Sequence, residues 1–266
     1  MTTLKLQPLS AQDLRAQARL GLFTTPTAGH APGKVQVNLV SLPQRYAFDF
    51  LLFCQRNPKA LPLVEVLEAG QFESRYALGS DVRRDLPRYQ VFRDGGAAEQ
   101  LEDARALWAD DFVTFLIGCS FTFETALIRA GLELRHIEEG RNVPMYQTSH
   151  PTQPAGPFAG PLVVSMRPLS AAQVAHAAAI TARYPLAHGA PIHVGDPHPL
   201  GIAALERPDF GEAVTIHPGE LAVFWACGVT SQRALERAGI PLAVTHAPGH
   251  MLVLDVGDDE LSLERL

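Results

Sequence analysis

The sequence predicts an α/β protein: a mixed or parallel sheet domain with a smaller two-layer α/β domain inserted into it. Three observations predict this. Apolar runs of strand length alternate with stretches of helical period along the chain. A strand–turn–helix pattern occurs twice, at Cys119 and again at Cys227. The block from Phe112 to Arg183 carries strand and helix patterns of its own, which suits an insertion at residues 112–185 between main-domain segments 1–111 and 186–266.

Ser10-Ala-Gln-Asp13 reads as a capping-box helix start with Asp in the usual place of Glu, and Gly21 as the stop after Leu14, Ala18 and Leu20. Thr24 to Gly33 is rich in Thr, Pro and Gly and reads as a loop. Val35 to Val40 alternates as a strand does. Pro43 opens a helix with Tyr46, Phe50 and Phe53 on one side, ending at Arg56-Asn57-Pro58 because a residue before proline resists the helical region. Val64–Leu67 and Tyr89–Phe92 are short strands, Asp94-Gly95-Gly96 is a turn, and Ala97–Ala109 is expected to be helical. Further on, Leu162–Met166 is a strand and Ser170–Arg183 an alanine-rich helix. Pro191–Asp196, Leu242–Thr245 and Met251–Val256 are expected strands.

The repeat is specific in its details. Cys119 to Gly131 and Cys227 to Gly239 share Cys, Thr, Ala, Leu, Arg, Ala and Gly at matching positions, each after an apolar run. Each copy reads as strand, tight turn and helix, with the glycine as C-terminal stop.

Composition narrows the function. The chain has 266 residues, 47% of them hydrophobic and 19% charged, enough for one large core or two unequal ones. The net charge of -6 and the scattered Lys and Arg leave no footprint for nucleic acid or a membrane surface. Three cysteines, Cys54, Cys119 and Cys227, without C-x-x-C spacing favour a reducing compartment, so a cytoplasmic location is expected. No apolar run approaches the ~20 residues of a membrane span. The expected partner is a small carboxylate or amino acid, with a second copy of the chain as an open possibility. No cofactor and no metal are expected.

The candidate site residues come from the ends of strands. A helix N-terminus presents free N–H groups and partial positive charge, a natural seat for a carboxylate. Ser120 and Gly228 follow the two cysteines, and Thr122 and Thr230 stand in the first turns, where their hydroxyls could join an anion cradle. A helix start lowers a thiol's pKa, which would suit Cys119 and Cys227 to acid–base or nucleophilic work. His193-Val-Gly-Asp196 places two proton-transfer groups at a strand end, and His246 follows another. Arg167 and Arg83 are the candidate guanidinium clamps for a carboxylate. There is no G-x-G-x-x-G, P-loop, G-x-S-x-G or H-E-x-x-H.

Ten segments, in order, carry a family resemblance: Thr27–Gly33, Phe53–Pro58, Asp81–Pro87, Phe115–Glu124, Val143–Tyr146, Val164–Pro168, His193–Pro197, Pro208–Gly211, Phe224–Gln232 and Thr245–Gly249. The chain resembles the D-glutamate cyclase family of hydro-lyases over residues 24–256. It departs at Ala60-Leu61-Pro62, where the family carries Cys-Pro, and at Arg84, where it carries Thr. The resemblance implies closure of D-glutamate to 5-oxo-D-proline with loss of water. It brings no catalytic residues with it, so Asp196 or His193 stands as the proton-transfer group on physical grounds. Two other classes remain open: a racemase or epimerase using paired cysteines, and a non-catalytic binding protein of amino-acid metabolism.

Overall fold

The computed structural model describes residues 9–262. In chain order the first elements are α1 (Ala11–Arg19), β1 (Lys34–Pro43), α2 (Ala47–Arg56), β2 (Leu63–Leu67), β3 (Tyr89–Arg93), β4 (Gly96–Leu101) and β5 (Phe112–Gly118). There follow α3 (Phe121–Arg129), α4 (Arg135–Glu138), β6 (Met145–Pro151), β7 (Pro161–Ser170), α5 (Ala171–Ala182) and β8 (His193–Val194). The chain closes with β9 (Glu220–Ala226), α6 (Thr230–Ala238), β10 (Leu242–His246) and β11 (Leu252–Gly257). Ser10 caps α1, its hydroxyl accepting the Asp13 N–H at 3.1 Å.

The α/β class holds, as two sheets with helices. One sheet has seven strands in the order β2-β5-β1-β10-β3-β4, with β11 also on β1; the other runs β6-β7-β9-β8. Strand direction departs from the expected parallel or mixed sheet, because every named pairing is antiparallel. Parallel neighbours need a crossover helix returning to their own sheet. Here the helices change sheets instead. α3 leaves β5 of the large sheet and packs Phe123 and Leu127 with Leu169, Val223 and Trp225 of the small one. α6 leaves β9 of the small sheet and packs Ala234 and Leu235 with Val40, Phe115 and Ile117 of the large one.

This exchange moves the expected divisions of the chain. β5 pairs with β1 along its whole length in the large sheet, and β9 pairs with β7 in the small one. Residues 112–118, expected with the insertion, and 220–226, expected with the main body, therefore belong each to the opposite sheet. One copy of the repeated turn arises from each sheet, so a division after β5 and after β9, at the two turns, would keep both sheets whole, whereas one before β5 does not.

The segment expected as a helix over 97–109 is instead the strand β4 followed by a short 3-10 turn at Arg105–Leu107. Asp94 and Gly95 both take positive φ, 47° and 81°, and make the tight β3–β4 hairpin. That turn fixes β4 against β3 and overrides the helical preference of Ala, Glu and Gln. β1 shows the ordinary alternation. Val35, Val37 and Leu39 enter one core cluster, and Val40 and Leu42 another.

Candidate active site

The two repeated turns use the same bonds. Cys119 N–H donates to Gln36 O at 3.1 Å and Cys227 N–H to Val163 O at 3.0 Å. Thr122 Oγ1 accepts the Gln36 N–H at 3.0 Å, and Thr230 Oγ1 accepts the Val163 N–H at 3.0 Å. Thr122 also donates to Gln36 O, and Thr230 to Cys227 O. Each hydroxyl thus stitches a helix start to the neighbouring strand. This explains threonine three residues after each cysteine, and it corrects the expected anion cradle: both hydroxyls are already committed.

The turns meet. Cys119 and Cys227 sit in one apolar cluster with Val143, Met145, Val163, Val229 and Met251. Burial pushes the Cys119 thiol well above its ordinary range, against the lowering pull of the Phe121 N–H. Cys227 is likewise pushed up by burial, to about 11, despite the Val229 N–H and nearby Arg167. The expected lowering at a helix start is present in both, and desolvation outweighs it.

The repeat also supplies a contrast. The shared strand bonds make Gln36 and Val163 equivalent, so Asn38 answers to Ser165 and Val40 to Arg167. On the helices Ser120 answers to Gly228 and Glu124 to Gln232. Each half therefore gives one charge to the centre, Glu124 from the Cys119 half and Arg167 from the strand that serves the Cys227 half. Arg167 Nη2 donates to Glu124 Oε1 at 2.5 Å and to Ser120 Oγ at 3.0 Å, while Nη1 reaches Ser165 Oγ at 3.2 Å. The guanidinium lies 5.4 Å from the ring centres of both Phe123 and Trp225. His136 Nε2 stands 3.0 Å from Glu124 Oε1, at ion-pair distance but off the hydrogen-bond direction. Burial alone would raise the Glu124 carboxyl; the charges of His136 and Arg167 prevail and hold it below its ordinary value.

Beside this cluster, two adjoining cavities lie under the loop that precedes β1. One, of about 90 Å³, is lined by Gln36 and Glu124; the other, of about 430 Å³, by His136 and Asn142. They share Gly29, His30 and Ile137 as walls. Gln36 Oε1, Glu124 Oε2, His136 Nε2 and Asn142 Oδ1 are all buried without a hydrogen-bond partner. Each such atom costs about 1–3 kcal/mol, so two beside each of the adjoining cavities mark where a polar ligand would complete the bonding. Lys34 and Arg129 line the smaller cavity; Arg141 and Glu212 line the larger, and Arg141 is paired with Glu139 at 3.2 Å. The loop is tied down by its partner turn: Thr27 N–H donates to Gly249 O at 2.8 Å, and Asn142 Nδ2 to Pro248 O at 3.0 Å. Gly249 has φ 87°, and a Cβ there would stand 2.3 Å from Asn142 Oδ1, so glycine is required. Among the described residues no three His, Cys, Asp or Glu side chains stand together as metal ligands would.

The D-glutamate cyclase family model matches residues 113–255, which include Cys119, Glu124, His136, Asn142, Arg167 and Cys227. The chain belongs to the D-glutamate cyclase family. A relative from Paracidovorax citrulli is 57% identical over 94% of this chain and 93% of its own length. One from Pseudomonas syringae pv. tomato is 56% identical over 94% and 93%, and one from Mycolicibacterium gilvum 54% over 95% and 96%. All three bear the name "Putative hydro-lyase".

In this member of the D-glutamate cyclase family, several expected site residues lie elsewhere. Asp196 is 65% exposed and holds His198, whose Nδ1 is 2.6 Å from Oδ1. Hydrogen bonds from the His198 side chain and backbone lower its pKa. His193 is half-buried on the two-residue edge strand β8, its ring on Asp196 O at 2.5 Å. Arg83 pairs with Asp81 at 2.8 Å and covers the Phe72 ring, outside the site. His246 is buried in the large sheet, its Nδ1 3.2 Å from the Leu39 N–H nitrogen. Gly228 lets Asn38 approach: a Cβ would stand 2.3 Å from Asn38 Nδ2. Arg167 and Ser120 belong to the site, bonded to its own side chains.

Sequence reasoning missed Gln36, Glu124, His136 and Asn142. A signal existed for one of them. Glu124 is the only charged residue between Phe112 and Ile128, and Arg167 the only one in β7. Two lone opposite charges in buried elements point to a pair.

Proposed function

We propose that this chain is a hydro-lyase that closes D-glutamate to 5-oxo-D-proline and water, or runs the reverse. The observation that carries the reading is the set of unpaired buried atoms around the two adjoining cavities. Three of the four, Gln36 Oε1, Glu124 Oε2 and Asn142 Oδ1, are acceptors, which suits the N–H groups of an amine. Lys34 and Arg129 on the wall of the smaller cavity suit a carboxylate. An amino acid with a second carboxylate meets both demands, in agreement with the family and with the relatives' names.

The chemistry divides as follows. The neutral α-amine attacks the carbon of the γ-carboxyl group (Cδ), which carries the proton given up by the α-ammonium; a C–N bond forms, the C–OH bond breaks, and the hydroxyl leaves as water. Glu124, held ionised by Arg167, takes the amine proton and returns it to the leaving oxygen, so the reaction balances without external acid. His136 beside Glu124 stabilises its charge.

Purified protein incubated with D- and L-glutamate and with both 5-oxoproline enantiomers, followed by chiral chromatography, tests this. Conversion confined to the D pair is expected. A folded protein that converts none of the four ends the reading. A second reading, a thiol racemase, draws on Cys119 and Cys227 sharing one cluster. It requires exchange of the α-proton, which cyclisation does not, so deuterium wash-in at the α-carbon separates the two.

A further inference from the structure

A separate cavity of about 610 Å³ lies between α2, residues 58–63 and residues 182–190, and shares no wall residue with the two described above. Its size is that of a metabolite site. Leu51, Leu61, Leu63 and Leu186 give it apolar walls, and Gln55, Lys59 and His188 give it polar groups. Lys59 and His188 are each held by a main-chain carbonyl. Lys59 Nζ donates to Ala190 O at 2.6 Å, and His188 Nδ1 lies 3.0 Å from Lys59 O. His188 is buried and takes a left-handed φ of 74°. For a non-glycine residue that costs on the order of 1 kcal/mol, so the surroundings hold the imidazole in place against strain.

Lys59 stands at the mouth. Among the described residues no carboxylate comes within ion-pair distance of its ammonium, and partial desolvation lowers its pKa. An anion beside it would offset that cost. Apolar walls with one uncompensated cation at the entrance define the chemistry of an occupant.

We propose that this cavity binds a small organic carboxylate with an apolar chain, its anionic end at Lys59 and its chain against Leu51, Leu61, Leu63 and Leu186. The site is independent of the D-glutamate reading, and its test reads binding without turnover.

Octanoate is the probe, titrated into the full chain by calorimetry, with octan-1-ol as the neutral chain of equal length. Octanoate should bind at least about tenfold more tightly than octanol, a difference of about 1.4 kcal/mol. Lys59→Gln should remove that preference and leave octanol binding unchanged, and Lys59→Arg should restore it. Ala182→Trp, at an exposed position on the cavity wall, should weaken both ligands. No octanoate binding up to about 10 mM would overturn the proposal, since that limit leaves less than about 3 kcal/mol of affinity. Equal affinity for octanol, or binding insensitive to Lys59→Gln or to Ala182→Trp, would overturn it as well.

Discussion

Glu124 and Arg167 form an ion pair 2.5 Å long with both side chains almost wholly out of solvent. The pair joins α3, which rises from the large sheet, to β7 in the small one. It is the one charged link in the pseudo-symmetric centre, since the equivalent positions are Gln232 and Val40. Two desolvated charges are expensive, and replacement by apolar residues often leaves a protein as stable or more so. Stability alone therefore does not account for the pair. Glu124 Oε2, unpaired toward a cavity, gives it a second use.

Glu124→Gln is expected to lower kcat by about two to four orders of magnitude, the usual worth of a positioned proton-transfer group. It should also cost about 3–5 kcal/mol of stability by leaving Arg167 without a counter-charge. The double variant Glu124→Gln/Arg167→Met should recover much of the stability and none of the activity. Urea melts and steady-state kinetics on the same preparations read both. Activity within a few-fold of wild type in Glu124→Gln would remove it from the reaction.

The three cysteines should resist alkylation in the folded protein. Burial pushes Cys54 to about 12 and Cys227 to about 11, and Cys119 higher still. The thiolate is the reactive form, so at pH 8 almost none exists. Mass spectrometry after iodoacetamide treatment should find all three unmodified in native protein and all three modified in urea. Fast native labelling of Cys119 or Cys227 would mean that a thiolate forms in the fold, and would favour the racemase reading.

Gly228 and Asn38 are coupled across the two sheets' junction. Asn38 Nδ2 donates to Gly118 O at 2.8 Å and to Ile117 O at 3.2 Å, holding the end of β5. Gly228→Ala would drive a methyl group into that amide. The expected cost is about 1–3 kcal/mol, the range for overpacking. Asn38→Ala added to Gly228→Ala should cost less than the sum of the two single changes, because the displaced side chain is gone. Strict additivity in denaturant melts would place the strain elsewhere.

The repeat was legible because the Thr122 and Thr230 hydroxyls do the same job on a neighbouring strand, and such a bond demands a residue type at a spacing; the cysteines give only main-chain N–H groups there. His193 and Asp196 lie away from the two adjoining cavities for a topological reason. Ligands gather beyond strand ends at a switch point in open α/β sheets with parallel strands. β8 is an antiparallel edge strand, and its end faces solvent. His136 and Asn142 lay outside reach because neither sits in a periodic segment. Their place depends on α4 and on the loop Thr25–Lys34 closing over them, contacts far apart in sequence.

Two buried histidines should make stability depend on pH. Burial lowers both His188 and His246 to about 4, and backbone hydrogen bonds only partly oppose it. In the unfolded chain each titrates at its ordinary ~6.5. Between these values the unfolded state binds protons that the folded state refuses, so stability is full above pH ~6.5 and falls as pH drops towards ~4. At pH 5 each histidine accounts for a loss of roughly 2 kcal/mol. His30 and His250, also lowered by burial, act with the same sign. Glu124 acts lower, since a depressed carboxylate gives up its contribution only below its unfolded value of about 4.3. Glu236 and Asp258, raised by burial, act with the opposite sign, so the imidazoles are read from the change each histidine variant makes to the urea-unfolding difference between pH 7 and pH 5. His188→Asn tolerates the left-handed backbone, and His246→Asn keeps an acceptor for the Leu39 N–H. Each variant should shrink the pH 7 to pH 5 difference by roughly 2 kcal/mol whatever its cost at pH 7. A difference unchanged in both would mean that the two imidazoles charge freely within the fold.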